Sequence, residues 1–102
     1  MKRNPREEFI KDIRNRSKAR KIYPKFFYQK CDKCGMEFKF ETMYEYVTPS
    51  LIFSNVRCYT YGCTECYPSF AQFENEMKNK TEKDIATYLD WQDGKIPLAD
   101  VD

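Results

Sequence analysis

The sequence predicts a small α+β fold organised around two Cys-x-x-Cys pairs. The pairs are Cys31 with Cys34 and Cys63 with Cys66, separated by 28 residues. Between them, residues 36–42 alternate apolar and polar side chains, which is the pattern of a strand with one buried face. After the second pair, apolar residues recur at helical spacing. At 102 residues the chain has the size of one compact domain with a modest core.

The first predicted element is a basic N-terminal helix within residues 1–24. Asn4 can cap its first turn, Pro5 suits the first helical position, and Glu7 can complete a capping box. Only the first half of this helix has an apolar face, so its second half is expected to be exposed and basic. Pro24 is expected to end the helix near residue 23.

The second predicted unit, residues 25–80, contains both cysteine pairs, an antiparallel hairpin and a helix. The strand at 36–42 is expected to pair with a return strand at 51–57 through a turn at residues 48–50. Pro68 suits the first turn of the helix that follows the second pair. The apolar stripe of that helix is Phe70, Phe73 and Met77.

The third unit, residues 81–102, is predicted to be a separate helix followed by a short acidic tail at 98–102. Thr81 begins a sequence typical of a capping box, and Gly94 and Pro97 are expected to stop the helix.

The composition favours a cytoplasmic protein, in the host cytoplasm if the chain is encoded by a phage. No apolar run approaches the roughly 18 residues that cross a bilayer, so we expect no membrane partner. The basic start continues into Asn-Pro-Arg-Glu-Glu, where a signal peptide would be apolar. In a reducing compartment, closely spaced cysteines bind metal more often than they form disulfides.

The cysteine spacing predicts one structural zinc ion. A Cys-x-x-Cys pair lets two thiolates reach one tetrahedral ion while backbone amides point at the sulfurs, and Gly35 supplies a left-handed turn. Two such pairs in one short intracellular chain are typical of zinc sites. The predicted ligands are Cys31, Cys34, Cys63 and Cys66.

The fifth cysteine leaves a second metal interpretation open. Cys58, Cys63 and Cys66 have the spacing of three ligands of a plant-type iron–sulfur cluster, but no cysteine follows Cys66 to supply the fourth. Zinc is therefore preferred over iron–sulfur. Cys58 itself is expected to be a small buried residue on the return strand, and the alternative is an exchangeable fifth ligand or a redox group.

The order of knuckle, hairpin and second pair at a helix start resembles the treble-clef class of zinc fingers. The resemblance covers about residues 27–80 and rests on the four paired cysteines and Gly35. It implies a scaffold used in nucleic-acid-binding, ribosomal and protein-adapter modules and in some nucleases. The nucleases use a histidine base, which this chain lacks, and a four-thiolate site is closed to water. We therefore expect no catalysis.

The first third of the chain is strongly basic. Residues 1–33 contain 12 Lys and Arg against 4 Asp and Glu, a net charge of +8, whereas residues 34–102 contain 6 against 12, a net charge of −6. Basic side chains neutralise phosphates, and interleaved aromatic residues can stack on unpaired bases. The candidates for binding nucleic acid or a protein are Arg14, Arg16, Lys18, Arg20, Lys21 and Lys25.

Aromatic residues that follow the basic stretch have two interpretations. They can form a stacking surface or interface, or they can pack as core beneath the cysteine knuckle, which the sequence favours. These residues are Tyr23, Phe26, Phe27 and Tyr28. Trp91 is a candidate interface anchor, although simple packing of the last helix is the expected role.

Three functions are compatible with these patterns. The preferred one is a non-catalytic zinc-binding module that binds nucleic acid or a ribonucleoprotein through its basic N-terminal segment. The alternative is an accessory factor that binds and modulates or inhibits a host protein with an acidic surface, because the short Lys-, Asn-, Tyr- and Phe-rich chain resembles small bacteriophage accessory proteins in composition. A third is self-association of the basic segment with the acidic body of another copy.

Overall fold

The computed structural model describes residues 4–53 and 55–94 and shows two helices and two small antiparallel sheets. In chain order the elements are α1 (Pro5–Arg16), β1 (Lys18–Ile22), β2 (Gln29–Lys30), β3 (Glu37–Phe38), β4 (Met43–Pro49), β5 (Arg57–Cys63) and α2 (Phe70–Gln92). β4 is the central strand of a three-stranded sheet of order β1-β4-β5, and β2 and β3 form a separate ribbon. The predicted α+β class is confirmed.

Helix α1 begins as predicted and ends earlier. The Asn4 side chain accepts a hydrogen bond from the backbone N–H of Arg6 at 3.0 Å, with Pro5 at the first helical position. The prediction that the basic helix continues to residue 23 is wrong, because Lys18–Ile22 form strand β1 against β4. Pairing with β4 gives the backbone groups of these residues hydrogen-bond partners and half-buries Ile22. A helix over the same residues would bury little apolar surface, because most of its side chains are basic.

The hairpin exists, but its predicted position is wrong. β4 and β5 pair from Met43 opposite Cys63 to Pro49 opposite Arg57. The predicted strand at 36–42 contributes only the two residues of β3, and Phe40 interrupts the extended chain with a φ of 60°. Residues 43–46 are all buried, so the central strand shows little of the alternation by which a half-exposed strand is predicted.

Helix α2 confirms the helix predicted after the second cysteine pair. Ser69 caps it by accepting a hydrogen bond from the backbone N–H of Gln72 at 3.2 Å, so the first helical residue is Phe70 rather than Pro68. The predicted stop at Gly94 is also confirmed, with a left-handed φ of 76° just past the helix. The predicted acidic tail at 98–102 lies outside the described residues.

The second helix predicted at Thr81 is not a separate element. Thr81 is buried in the middle of α2, where its hydroxyl donates to the carbonyl of Met77 at 3.1 Å and shares a 2.8 Å hydrogen bond with the hydroxyl of Tyr46. Because its hydroxyl has these hydrogen-bond partners, Thr81 is accommodated inside the helix although threonine favours helix caps. The predicted boundary between residues 80 and 81 therefore falls inside one helix. Neither described helix combines the length and apolar character needed to cross a bilayer.

Two hydrophobic clusters lie near the central strand. One contains Tyr44 and Tyr46 of β4 together with the α2 residues Phe73 and Met77, and with Tyr67. The other contains the cysteines Cys31 and Cys63 packed with Met43 at the opposite end of the β4–β5 pairing from Pro49. Three of the eight buried residues in these two clusters thus belong to the surroundings of the cysteine pairs.

Gly62 is predicted to be intolerant of a side chain. A Cβ at this position would lie 2.6 Å from the Tyr67 ring and 2.9 Å from the Phe73 ring, both in the core. Gly62→Ala should therefore lower the free energy of unfolding by about 1–3 kcal/mol, measured by urea denaturation of the metal-loaded protein. Gly94→Asn is the control, since its Cβ meets no atom within 4 Å and Asn tolerates the left-handed region. Equal stability of Gly62→Ala and the parent chain would contradict this packing.

Candidate metal centre

The four cysteines predicted as ligands lie together. Their sulfur atoms are all within 4.8 Å of one another, with 4.0 Å between Cys31 and Cys66 and 3.8 Å between Cys34 and Cys63. Sulfurs at the corners of a tetrahedron around zinc, each about 2.3 Å from the ion, stand about 3.8 Å apart. The cluster therefore has the donor set and nearly the spacing that one tetrahedral metal ion requires.

The first pair lies on a knuckle between β2 and β3. The backbone N–H of Gly35 donates to the carbonyl of Cys31 at 2.8 Å, and the N–H of Cys31 donates to the carbonyl of Met36 at 2.8 Å. Gly35 has a φ of 77°, which is the left-handed conformation predicted for it. This turn places the Cys31 side chain in the interior and leaves Cys34 at the surface.

The second pair lies between the end of β5 and the start of α2. Cys63 is the last residue of β5, and its carbonyl accepts a hydrogen bond from the N–H of Tyr67 at 3.0 Å. The Cys63 sulfur accepts a longer hydrogen bond, 3.4 Å, from the N–H of Cys66. Such N–H groups favour the thiolate form, which is the form that binds metal.

Asp32 connects the knuckle to the strand that bears the second pair. Its backbone N–H donates to the carbonyl of Tyr61 at 2.9 Å, and its carboxylate accepts from the N–H of Tyr61 at 2.6 Å. The polypeptide therefore aligns the two cysteine pairs through hydrogen bonds of its own. The sequence analysis did not single out Asp32, because its position inside a Cys-x-x-Cys loop does not reveal a partner on a distant strand.

The thiols differ in acidity. Burial acts to raise the pKa of Cys31, but hydrogen bonds from the backbone N–H groups of Cys34, Lys33 and Cys63 outweigh it and lower that pKa to about 7. A hydrogen bond with the Cys63 side chain and burial raise the pKa of Cys66 to about 12. A cation shared by the cluster would favour the thiolate at every ligand, since a coordinating thiol is deprotonated.

Cys58 lies outside this cluster, and the expectation that it is buried is wrong. It is exposed near the start of the edge strand β5, five residues before Cys63, which is about 17 Å along an extended chain. That separation does not fit Cys58, Cys63 and Cys66 as ligands of one iron–sulfur cluster. The first three residues of β5 are all exposed, because they lie beyond the part of the strand that the core covers.

Three of the six predicted basic residues form ion pairs within the chain. Arg14 binds Glu82 of α2 at 2.5 Å, and its hydrogen bond lowers the pKa of that carboxyl. Arg16 lies 3.3 Å from Asp12 in the preceding turn of α1. Arg20 lies 2.6 Å from Glu45 of β4. Part of the positive charge counted in the sequence is therefore compensated internally.

The three predicted lysines are in different surroundings. Lys18 is exposed on β1 and forms no ion pair with the part of the chain that the structure describes. The ammonium group of Lys21 lies 5.9 Å from the centre of the Phe70 ring, and that of Lys25 lies 5.9 Å from the centre of the Tyr23 ring. The six predicted residues therefore do not form one continuous helical surface.

The expectation that the aromatic residues after β1 form core is also wrong. The exposed fractions are 51% for Tyr23, 84% for Phe26, 83% for Phe27 and 65% for Tyr28. The space beside the paired cysteines is filled instead by Met43, with Ile22 and Phe38 packed against it. Four large aromatic side chains therefore remain at the surface.

Trp91 has the packing role that was expected of it. Its ring lies 5.5 Å from that of Tyr88, which in turn lies 5.4 Å from Phe9 of α1. Trp91 is half-buried in this contact between the two helices.

The side of the sheet opposite α2 forms a surface that we term the open face. Tyr44, Tyr46 and Gly62 face α2, so the alternate residues of each strand point the other way. The strand register then aligns Lys18 with Val47 and Tyr59, and Arg20 with Glu45 and Tyr61. The open face consists of Lys18, Arg20, Glu45, Val47, Arg57, Tyr59 and Tyr61.

The open face includes five residues that the sequence analysis missed, namely Glu45 and Val47 on β4 and Arg57, Tyr59 and Tyr61 on β5. Arg57, Tyr59 and Tyr61 alternate with Cys58 and Thr60, and this alternation was the signal available in the sequence. It was missed because the return strand was placed at 51–57. Burial and the neighbouring carboxylate of Glu45 raise the pKa of Tyr61.

Comparison of the chain with protein-family models, with curated proteins and with solved structures finds no match. What the cluster and the open face bind is therefore inferred from their own side chains.

We predict that the four-cysteine cluster, and not Cys58, holds the metal. Cys34→Ser should lose stoichiometric metal and cooperative thermal unfolding, because structural zinc contributes on the order of 10 kcal/mol to folding. Metal content by mass spectrometry and melting by circular dichroism measure the two effects. Cys58→Ser is the matched control and should keep both, because it is an exposed cysteine outside the cluster. Loss of metal from Cys58→Ser would contradict the assignment.

Proposed function

We propose that this chain is a non-catalytic zinc-binding module that binds nucleic acid, free or within a ribonucleoprotein. The observation that carries the proposal is a basic groove of about 280 Å³ at one end of the open face, lined by Arg16, Lys18 and Arg57. These cations come from α1, β1 and β5, so the fold brings together charges that are distant in the sequence.

Zinc is the metal that the cluster suits best. Four thiolates in a tetrahedral arrangement select zinc or iron, and sulfur separations of 3.8 and 4.0 Å suit a single ion. A cluster of several irons distributes its ligands over different metal atoms and holds the sulfurs further apart. With four cysteine ligands the zinc has no open position for water, which supports a structural rather than a catalytic role.

The element order supports membership of the treble-clef class. The first cysteine pair lies on the β2–β3 knuckle, the β4–β5 hairpin follows, and the second pair lies between β5 and α2. The class uses this scaffold for binding modules, which is compatible with the proposal and does not select a ligand by itself.

The basic groove has the properties of a phosphate-binding surface. Lys18 and Arg57 are exposed, and neither forms an ion pair with another described residue. Arg16 has an exposed partner, Asp12, at 3.3 Å, and exposed pairs of this kind contribute little energy. A phosphate chain can therefore contact all three cations without disrupting a strong interaction.

The opposite side of the sheet is less suited to a polyanion. Helix α2 contains five Asp and Glu residues against three lysines. Two of those lysines, Lys78 and Lys80, pair with acidic residues on the same helix. The charge distribution thus favours the open face for nucleic acid.

A protein-directed role is the second candidate, and the exposed aromatic residues favour it. Phe26 and Phe27 expose more than four fifths of their surface, and exposed apolar groups of this size often mark interfaces. An accessory factor that binds an acidic host protein would use the same positive groove. Recovery of one protein partner, together with no measurable affinity for nucleic acid, would favour this candidate.

We predict that charge reversal in the groove weakens nucleic-acid binding. The Lys18→Glu, Arg57→Glu double variant should bind mixed-sequence RNA and DNA at least about tenfold more weakly at low salt than the zinc-loaded parent. Fluorescence anisotropy across a salt series measures both affinity and salt dependence, with an expected slope of about −0.7 for each phosphate contacted on a single strand.

The Lys78→Glu, Lys83→Glu double variant is the matched control, because it makes the same charge change at two exposed positions of α2. Its affinity should stay close to that of the parent. Undetectable binding by the parent at low salt, or equal losses in the groove and control variants, would contradict the proposed function.

A further inference from the structure

We propose that a second concavity on the open face binds an unpaired nucleobase, which would make the ligand single-stranded nucleic acid. This inference rests on the proposed function and specifies its ligand. The concavity, termed the aromatic cleft, has a volume of about 350 Å³. Its walls include Arg20, Tyr23, Phe26, Phe27, Glu45 and Tyr61.

The two walls of the aromatic cleft differ in origin. Tyr61 belongs to β5 and is half-buried in the sheet, so its position is set by the fold. Phe26 and Phe27 belong to the segment between β1 and β2 and expose 84% and 83% of their surface. A flat aromatic ligand that enters between these walls would cover apolar surface that the chain leaves in water. Bases provide such a flat π-face whatever their sequence.

The floor of the aromatic cleft is polar, and its side chains are held in position by a hydrogen bond. Glu45 is only 7% exposed, and its carboxylate accepts a hydrogen bond from Nε of Arg20 at 2.6 Å. The terminal amino groups of Arg20 form no hydrogen bond with the described residues, and the Arg20 side chain is 70% exposed. An oriented guanidinium with free donors can bind a base edge or the adjacent phosphate.

The cleft and the basic groove lie along the same strand, β5. Tyr59 lies between Arg57, which lines the groove, and Tyr61, which lines the cleft. Alternate residues of a strand are about 6.7 Å apart, so the two sites are separated by about 13 Å. An extended strand of a few nucleotides can therefore place phosphates on the groove while a base enters the cleft.

The arrangement favours single strands over duplexes. A duplex presents its phosphates outward and keeps its bases stacked inside, so it can contact the groove but cannot place a base between aromatic side chains. Aromatic side chains on a sheet beside cations are a known means of stacking unpaired bases.

The test compares a 12-nucleotide single strand of mixed sequence with its duplex, using the zinc-loaded full chain and fluorescence anisotropy. The single strand should bind at least about tenfold more tightly than the duplex. Phe27→Leu should weaken single-strand binding at least about fivefold and leave duplex binding unchanged, because it removes stacking and no charge. Tyr61→Leu should act in the same direction, with metal content and melting measured to show that the variant is folded.

Phe53→Leu is the matched control. Phe53 is 65% exposed in the connection between β4 and β5, at the other end of the hairpin from the cleft, and should be without effect. Binding that depends on Lys18 and Arg57 but is equal for single strand and duplex, and is unchanged by Phe27→Leu, would overturn the cleft assignment alone. Absence of binding to either nucleic acid would overturn the proposed function together with it.

Discussion

Convergence of four cysteine sulfurs is the constraint on which the rest of the structure depends. Two of the cysteines, Cys31 and Cys63, are almost completely buried, and β2 and β3 have only two residues each. A ribbon that short does not hold its own position in water. The contribution of a structural zinc ion, on the order of 10 kcal/mol, is as large as the total stability of a typical domain. An ion bound by the four cysteines would therefore contribute enough free energy to hold the knuckle in place.

The same constraint positions the surface to which we assign function. One wall of the aromatic cleft is β5, which ends in Cys63 of the cysteine cluster, and the other is the segment that leads from β1 through β2 to Cys31. Asp32 links the two parts through its hydrogen bonds with the backbone of Tyr61. A further hydrogen bond, from the N–H of Phe40 to the carbonyl of Pro24 at 2.8 Å, connects the segment after β1 to the chain that follows β3. The same two parts of the chain thus form both the cysteine cluster and the aromatic cleft.

The parts of this structure that local chemistry determines could be predicted from the sequence. The clustering of the four cysteines followed from two Cys-x-x-Cys spacings, and the start of α1 followed from the capping chemistry of Asn4 and Pro5. The helix after the second pair followed from the stripe of Phe73 and Met77. In each case the signal lies within a few residues of the structure that it determines.

The parts that depend on distant partners could not be predicted in this way. Lys18–Ile22 form a strand because they pair with β4, and nothing in the sequence of these five residues specifies that partner. β4 is buried on both sides along much of its length, so its alternation is weak, whereas the alternating residues 36–42 belong mostly to exposed chain. Thr81 has the local chemistry of a helix start, but its partner, the hydroxyl of Tyr46, lies on a strand 35 residues earlier.

X-ray absorption at the metal K-edge of the purified protein tests the shared metal centre most directly. Our account predicts one zinc per chain, bound by four sulfur atoms at about 2.3 Å, with no nitrogen or oxygen ligand and no metal–metal scattering. A protein that binds no stoichiometric ion, or a spectrum that requires a second metal atom or fewer than four sulfurs, would contradict it.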